Sequence, residues 1–379
     1  RDVRDERAEA VHVDDLAQDV AAAPLQPGRR EPDRIPDGLR LEVTNYREER
    51  RARHDRIYLQ GGRQASADRC GEMRRHFDGG LESRSAPEWL GRPERGTVRA
   101  IRFTAWIALS LGRPVARLLL YPICLYFLLS SGAARAASRK YLRKVLERAP
   151  GLGDLFRHYY AFAATILDRV YLLNEQYSHF DVRANGTDIV DGVLARGSGC
   201  FLLGAHIGSF EIIRSLGRES GGLRVSLVMY EQNARKLNSV LAAINPNLSG
   251  QVIPLGKVDS MLKVEEALQS GACIGILGDR TIGTEGTLAC PFFGEPARFA
   301  VGPLRLAAML KRPVVLMFGL YRGGNRYEVH FERLADFSAT DRRERGAAIE
   351  RALRQYAERM EHYCRVAPYN WFNFYDFWK

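Results

Sequence analysis

Apolar periodicity divides the chain before any motif is considered. Residues 1–85 hold no sustained period of 3.6 or 2, and folded-looking sequence begins at Trp89. The stretch 101–129, IRFTAWIALSLGRPVARLLLYPICLYFLL, is the most apolar part, broken by Gly112, Arg113, Pro114 and Arg117. Its longest clean run, 118–129, falls short of the about 20 residues that a spanning helix takes. Two short helices dipping into one leaflet are therefore expected, with a buried helical hairpin of a soluble core as the alternative. The run also lies too deep in the chain for a signal peptide. From about residue 199, β-rich runs alternate with helical patterns: 200–205, 223–229, 251–255, 272–277, 313–321 and 326–332. A helix over 260–270 stops at Gly271, and a final helix carries Ile349, Leu353, Tyr356, Met360 and Tyr363 on one face. Arg322-Gly323-Gly324-Asn325 joins the last two runs as a hairpin.

This alternation predicts an α/β fold with a central mixed β-sheet flanked by helices. Three regions follow. Residues 1–85 read as disordered or as an extension outside the working protein. Residues 86–150 read as a membrane-associating helical region, and 151–379 as the α/β domain.

Charge sharpens the division. Residues 1–85 hold 17 Arg, no Lys and 18 acidic residues, a net of −1, so the rest carries +12. Low hydrophobicity of this kind favours disorder in the first segment. The basic remainder can attract nucleic acid, an anionic membrane or an acidic carrier protein. Arg135, Arg139, Lys140, Arg143 and Lys144 directly follow the apolar run, which favours an anionic membrane surface on its cytoplasmic side over nucleic acid. The six cysteines, Cys70, Cys124, Cys200, Cys273, Cys290 and Cys364, show no CxxC spacing. That speaks against a zinc site or a disulfide framework and for a reducing, cytosol-facing location.

Candidate chemistry centres on Gly199-Cys-Phe-Leu-Leu-Gly-Ala-His206-Ile-Gly-Ser-Phe-Glu211. A buried strand runs into a histidine, a turn of small residues and an acidic residue. In open α/β sheets, sites form at the carboxyl ends of strands. A histidine there can take a proton from an attacking hydroxyl at neutral pH. Glu211 can fold back to the far ring nitrogen, as the acid of a hydrolase triad does. Spacing alone is equally met by a structural histidine beside a glutamate favoured at a helix start. Several classes lack their signatures. There is no GxSxG elbow for a lipid esterase, no G-x-G-x-x-G opening a helix, and no further ligands to make His206 and Glu211 a metal site.

His206-x4-Glu211 after an apolar strand resembles the HX4D/E signature of the lysophospholipid acyltransferase superfamily. It is most similar to the branch of lipid A biosynthesis lauroyl and myristoyl acyltransferases. Further segments match in order. Ile276-Leu-Gly-Asp279-Arg280 resembles that branch's strand-end D-Q motif, with Arg for Gln. Pro291-Phe-Phe293-Gly294 resembles its F-x-G element, followed by a helix of small residues up to Lys311-Arg312-Pro313. Pro368-Tyr-Asn-Trp371-Phe-Asn-Phe-Tyr-Asp376-Phe-Trp378 replaces its P-x-Q-Y-x-W ending, and with Leu167-Asp168-Arg169-Val170-Tyr171 it resembles a predicted-acyltransferase subgroup. The resemblance runs from about Trp89 to Lys379.

The resemblance implies transfer of a fatty acyl group from an acyl carrier protein or coenzyme A thioester to a hydroxyl or amine of a lipid or glycolipid. It implies no cofactor, no metal and no covalent enzyme intermediate, and a location on the cytoplasmic face of a bacterial inner membrane. His206 would be the base and Glu211 its partner. Backbone N–H groups at Gly208 and Ser209, with Lys257 or Arg280, would meet the oxyanion. Relatives carry a functional Arg in the stretch that here contains Lys257 and Ser260. Asp279, Phe293 and Gly294 would line the substrate site, and Arg298 would hold a phosphopantetheine phosphate. Each charged residue has a solvated surface role as its alternative. A catalytically inactive, membrane-surface lipid-binding protein is the non-enzyme alternative. Asp168 and Arg169 read as an ion-pairing helix face, and the aromatic tail as core packing rather than a cofactor box, with Trp371, Phe372, Phe374, Phe377 and Trp378 closing the sheet or an acyl pocket.

Overall fold

Continuous apolar runs that belong to no amphipathic helix need burial on two faces, and a helix-covered parallel sheet supplies it. The computed structural model describes residues 98–213, 215–216, 223–230, 252–255, 258–280 and 286–378. The extension read over 1–85, and Lys257, lie outside the described residues.

Seven strands form one sheet in the order β1-β9-β8-β2-β5-β3-β4. They are β1 Asp181–Asn185, β2 Phe201–Gly204, β3 Val225–Tyr230, β4 Val252–Leu255, β5 Cys273–Leu277, β8 Pro313–Tyr321 and β9 Arg326–Asp336. Every neighbouring pair is parallel except β8 and β9, which form the expected hairpin. Central β2 and β8 are buried along their whole length. The six strand runs expected from the sequence all appear, and the sheet is mixed and helix-flanked as read. Two features were not anticipated. Edge strand β1, DVRAN, is largely exposed and mostly polar. A separate antiparallel hairpin joins β6 Thr287–Phe292 to β7 Glu295–Ala300, where Pro291 and Pro296 mask the strand pattern.

Helices cover the sheet: α4 Thr187–Leu194, α5 Val258–Gln269, α6 Gly302–Met309 and α7 Arg345–Val366. Gly271 follows α5 in the left-handed region, as its stop signal predicts. Ile349, Leu353, Tyr356, Met360 and Tyr363 are the buried stripe of α7.

Among the described residues three helices precede the sheet: α1 Val98–Ser130, α2 Gly132–Leu146 and α3 Leu152–Leu173. Helix α1 is two helices merged at Gly112, whose φ of 77° and ψ of 163° are non-helical. Pro114 is tolerated because it lies just beyond that break, where an N–H would find no helical acceptor. After the break the helix continues unbroken to Ser130, through Arg117 and Pro122. Residues Ala108–Ser130 are long and apolar enough to cross a membrane. Ala116, Leu120, Cys124 and Leu128 face the protein, whereas Leu118, Leu125, Tyr126 and Leu129 are exposed.

Arg113 and Arg117 do not face water. Arg113 makes a two-pronged pair with Asp168 of α3, at 2.7 and 2.9 Å, and Arg117 approaches the same carboxylate at 3.8 Å. Tyr327 O–H also donates to Asp168, which is fully buried. The ion-pairing expected of Asp168 is present, and its partners come from the apolar helix.

Candidate active site

The sheet register builds the site. Parallel β2 and β5 are neighbours, with Gly204 opposite Leu277. The residues two places further on are His206 and Asp279, so both leave the sheet together at its carboxyl edge. His206 Nδ1 lies 2.8 Å from Asp279 Oδ1, and the His206 backbone N–H donates to Oδ2 at 3.1 Å. Trp371 Nε1–H donates to the same Oδ2 at 3.0 Å. The Asp279 side chain is 2% exposed and the His206 side chain 28%. Burial alone would push the Asp279 carboxyl up; the His206 charge and hydrogen bond, Arg280 and the Trp371 N–H together bring it down to about 2. Asp279 is therefore a carboxylate at neutral pH and holds the ring through Nδ1.

Glu211 has a different partner. Its Oε1 pairs with Arg169 Nε of α3 at 2.9 Å, and Glu211 is buried. The place expected for Glu211, on the far side of the histidine ring, is taken by Asp279. The physical reason is register: the β2–β5 pairing carries Asp279 to the ring, while the turn after His206 carries Glu211 toward α3. Asp279 was read from the sequence as a substrate-site residue; its offset from His206 equals the strand register, a signal only the pairing reveals.

The turn after His206 is braced on both sides. Gly208 has φ 65°, and a Cβ there would lie 2.0 Å from the Gly319 carbonyl oxygen of β8, so only glycine fits. Gly208 N–H donates to Asn370 O and Ser209 N–H to Gly319 O, both at 2.8 Å. These two amides, expected as oxyanion donors, are already engaged by backbone carbonyls. Ser209 Oγ is buried with no hydrogen-bond partner among the described residues.

The C-terminal tail completes the site. Phe372 N–H donates to His206 O at 2.8 Å, and Ile207 bridges Trp371 as an antiparallel strand would. Arg280 Nη2 donates to Phe372 O at 3.3 Å and its guanidinium lies 5.9 Å from the Tyr375 ring centre. Trp371 is fully buried, with Tyr141, Phe292 and Phe377 packed edge-on around it. Trp371, Phe372, Phe374 and Phe377 are all buried.

The remaining expected residues are placed elsewhere in the fold. Phe293 and Gly294, both at positive φ, form the two-residue tip of the β6–β7 hairpin, with Phe293 against Tyr141 and Arg365. Arg298 is exposed on β7 and reaches Thr287 Oγ1 at 3.4 Å. Ser260 is buried on α5.

Sequence reading missed His158. It is fully buried on α3, its Nε2–H donating to Trp371 O at 2.8 Å while Ser138 O–H donates to Nδ1 at 2.7 Å. A carbonyl only accepts, so Nε2 carries a proton, and burial disfavours a second one on Nδ1. Burial lowers its pKa from 6.5 to about 4, against a smaller upward pull from the Trp371 carbonyl. As pH falls from 6.5 to 4, the unfolded chain binds a proton that the folded chain refuses. Stability should therefore fall across that window, by about 3 kcal/mol in total at the limit. Urea melts at pH 7, 5.5 and 4.5 check this. His158→Gln should flatten that part of the curve, and an unchanged slope would count against it.

The described residues thus combine a parallel-rich α/β sheet, a histidine–carboxylate pair at its strand ends and a helix with an exposed apolar face. A model of the family described as bacterial lipid A biosynthesis acyltransferase matches residues 158–379, more than half of the chain. The chain belongs to that family. Membership makes it an acyltransferase with an acyl donor and a lipid acceptor. The matched region begins within α3, so α1 and α2 precede it. Comparison with curated proteins gives no match.

Proposed function

We propose that this protein moves a fatty acyl group from an acyl carrier protein or coenzyme A thioester to a hydroxyl or amine of a lipid or glycolipid. His206 is the general base and Asp279 fixes it. The observation carrying this proposal is a partly exposed histidine at a strand end whose Nδ1 is held by a buried carboxylate. With Nδ1–H donated to Asp279, Nε2 takes the acceptor's proton as its oxygen or nitrogen attacks the thioester carbonyl. The tetrahedral oxyanion then collapses and expels the thiolate, which receives that proton from His206. Because the Gly208 and Ser209 amides are engaged, Arg280 is the cation we assign to the oxyanion. Glu211, through Arg169, holds the catalytic turn on α3.

Labelled acyl thioester, a lipid extract and the detergent-dispersed protein test this by mass spectrometry of the lipids. A new acyl-lipid is expected. Free fatty acid without acyl-lipid would favour an esterase, and no turnover would favour a lipid-binding protein.

We further place the protein on the cytoplasmic face of a bacterial inner membrane, with α1 lying in one leaflet. Arg113 meets Asp168 while Tyr121 stacks on Phe156 and packs at a tilt against Tyr160, so α1 runs antiparallel along three turns of α3. A helix bound lengthwise to a sheet-covering layer presents its outer stripe sideways to lipid. Replacing Leu118, Leu125 and Leu129 by Gln should release the protein from vesicles in flotation, because each exposed leucine contributes roughly 1.5–3 kcal/mol when buried in lipid. Flotation equal to wild type would exclude this face.

A further inference from the structure

We propose that Trp371 is a positioning residue for acyl transfer, acting through Asp279 by its indole N–H; this rests on the His206 base assigned above. Asp279 has two carboxylate oxygens and three donors around them. Oδ1 faces His206 Nδ1, while Oδ2 takes the His206 backbone N–H at 3.1 Å and the Trp371 indole N–H at 3.0 Å. The backbone donor comes from the same residue whose ring must be aimed. The indole is therefore the one anchor in this set that ties the carboxylate to a different part of the fold.

That anchor is itself rigid. Trp371 is fully buried among edge-on rings and its carbonyl is held by His158. Its neighbours grip the other side of the same turn: Asn370 O accepts from Gly208, and Phe372 N–H donates to His206 O. Asn370 is fixed in turn by two bonds to the backbone of Tyr321, at 2.6 and 3.1 Å. Residues 370–372 thus act as a short strap across the end of β2. Within it, only the Trp371 side chain reaches the carboxylate. A charge-assisted donor to a buried carboxylate restricts its rotation and spreads its charge. Without it, Oδ1 can swing from the plane of the imidazole, and the base loses its fixed aim at the acceptor.

Trp371→Phe tests this, since phenylalanine keeps an aromatic ring and deletes the N–H. A sulfur isostere, benzothienylalanine at 371, preserves the two-ring shape and serves if the phenylalanine variant fails to fold. Trp378→Phe is the control: Trp378 stacks on Phe292 in the same cluster but its indole bonds Phe292 O. The Trp371 variants should lower kcat by roughly ten- to hundredfold, the loss of one hydrogen bond to a charged group, with KM unchanged. Trp378→Phe should match wild type. Combined with Asp279→Asn, Trp371→Phe should add no further loss of kcat. Equal losses in the two tryptophan variants, or a full loss on top of Asp279→Asn, would overturn the proposal and leave Trp371 as packing. His206→Ala in the same assay separates the levels. If it is inactive while Trp371→Phe is normal, only this inference fails; if it stays active, the base assignment fails and takes this inference with it.

Discussion

His206→Ala is expected to lower acyl transfer by roughly 10²–10⁴-fold, the usual contribution of a general base, without unfolding the protein. The ring is partly exposed, and the fold contacts made by this residue are largely those of its backbone: its N–H to Asp279 and its carbonyl to Phe372. Alanine keeps both. Donor binding should be unaffected, because the base acts on the acceptor. The measurement is kcat with labelled thioester at saturating donor, beside a thermal melt and a donor-binding titration. A loss below tenfold with an intact fold would remove His206 from the base role.

Asp279→Asn is expected to reach a comparable loss, for a different reason. Asparagine fits the space, but its side-chain NH2 or its oxygen faces Nδ1 without a negative charge to stabilise the imidazolium formed as the acceptor loses its proton. In serine hydrolases the equivalent change costs about 10⁴-fold. Glu211→Gln separates the two acids. Glu211 pairs with Arg169, so its replacement should leave kcat largely in place and lower the melting temperature instead. Breaking a buried pair strands a charge, and losses of about 3–5 kcal/mol are known for such cases. Arg169 keeps some solvent contact, which puts the expected loss at the lower end. If Glu211→Gln abolished transfer in a folded protein and Asp279→Asn did not, the roles of the two carboxylates would be reversed.

Much of this architecture was legible in the chain. Strands β2, β5 and β8 announce themselves because each is an apolar run too short for a helix and bounded by glycine or proline. The β8–β9 hairpin is marked by Gly323 and Gly324, both at positive φ. His206 stood out because it ends such a run. The carboxylate beside it, Asp279, was placed in the substrate site but not paired with His206, since a partner across parallel strands is set by register, and the two are 73 residues apart. Glu211, five residues on, was the nearer acid and the wrong distance measure. Arg113 and Arg117 were read as interruptions of a lipid-facing run. Their carboxylate, Asp168, sits on a separate helix whose approach no local pattern encodes. The tail was read as aromatic packing, which it is. Its hold on the turn after His206 goes mostly through the backbone N–H and C=O groups, which carry no sequence signature.

The central claim is that His206 activates the acceptor for direct attack on the thioester. The nearest rival is an acyl-enzyme on Ser209, whose buried hydroxyl lies in the same turn and has no partner among the described residues. Intact-protein mass spectrometry decides between them, after incubation with the acyl thioester and no acceptor. Direct transfer predicts an unmodified protein mass at every time point, with acyl-lipid formed once acceptor is added. A mass gain of one acyl group that disappears into lipid on adding acceptor would contradict the account.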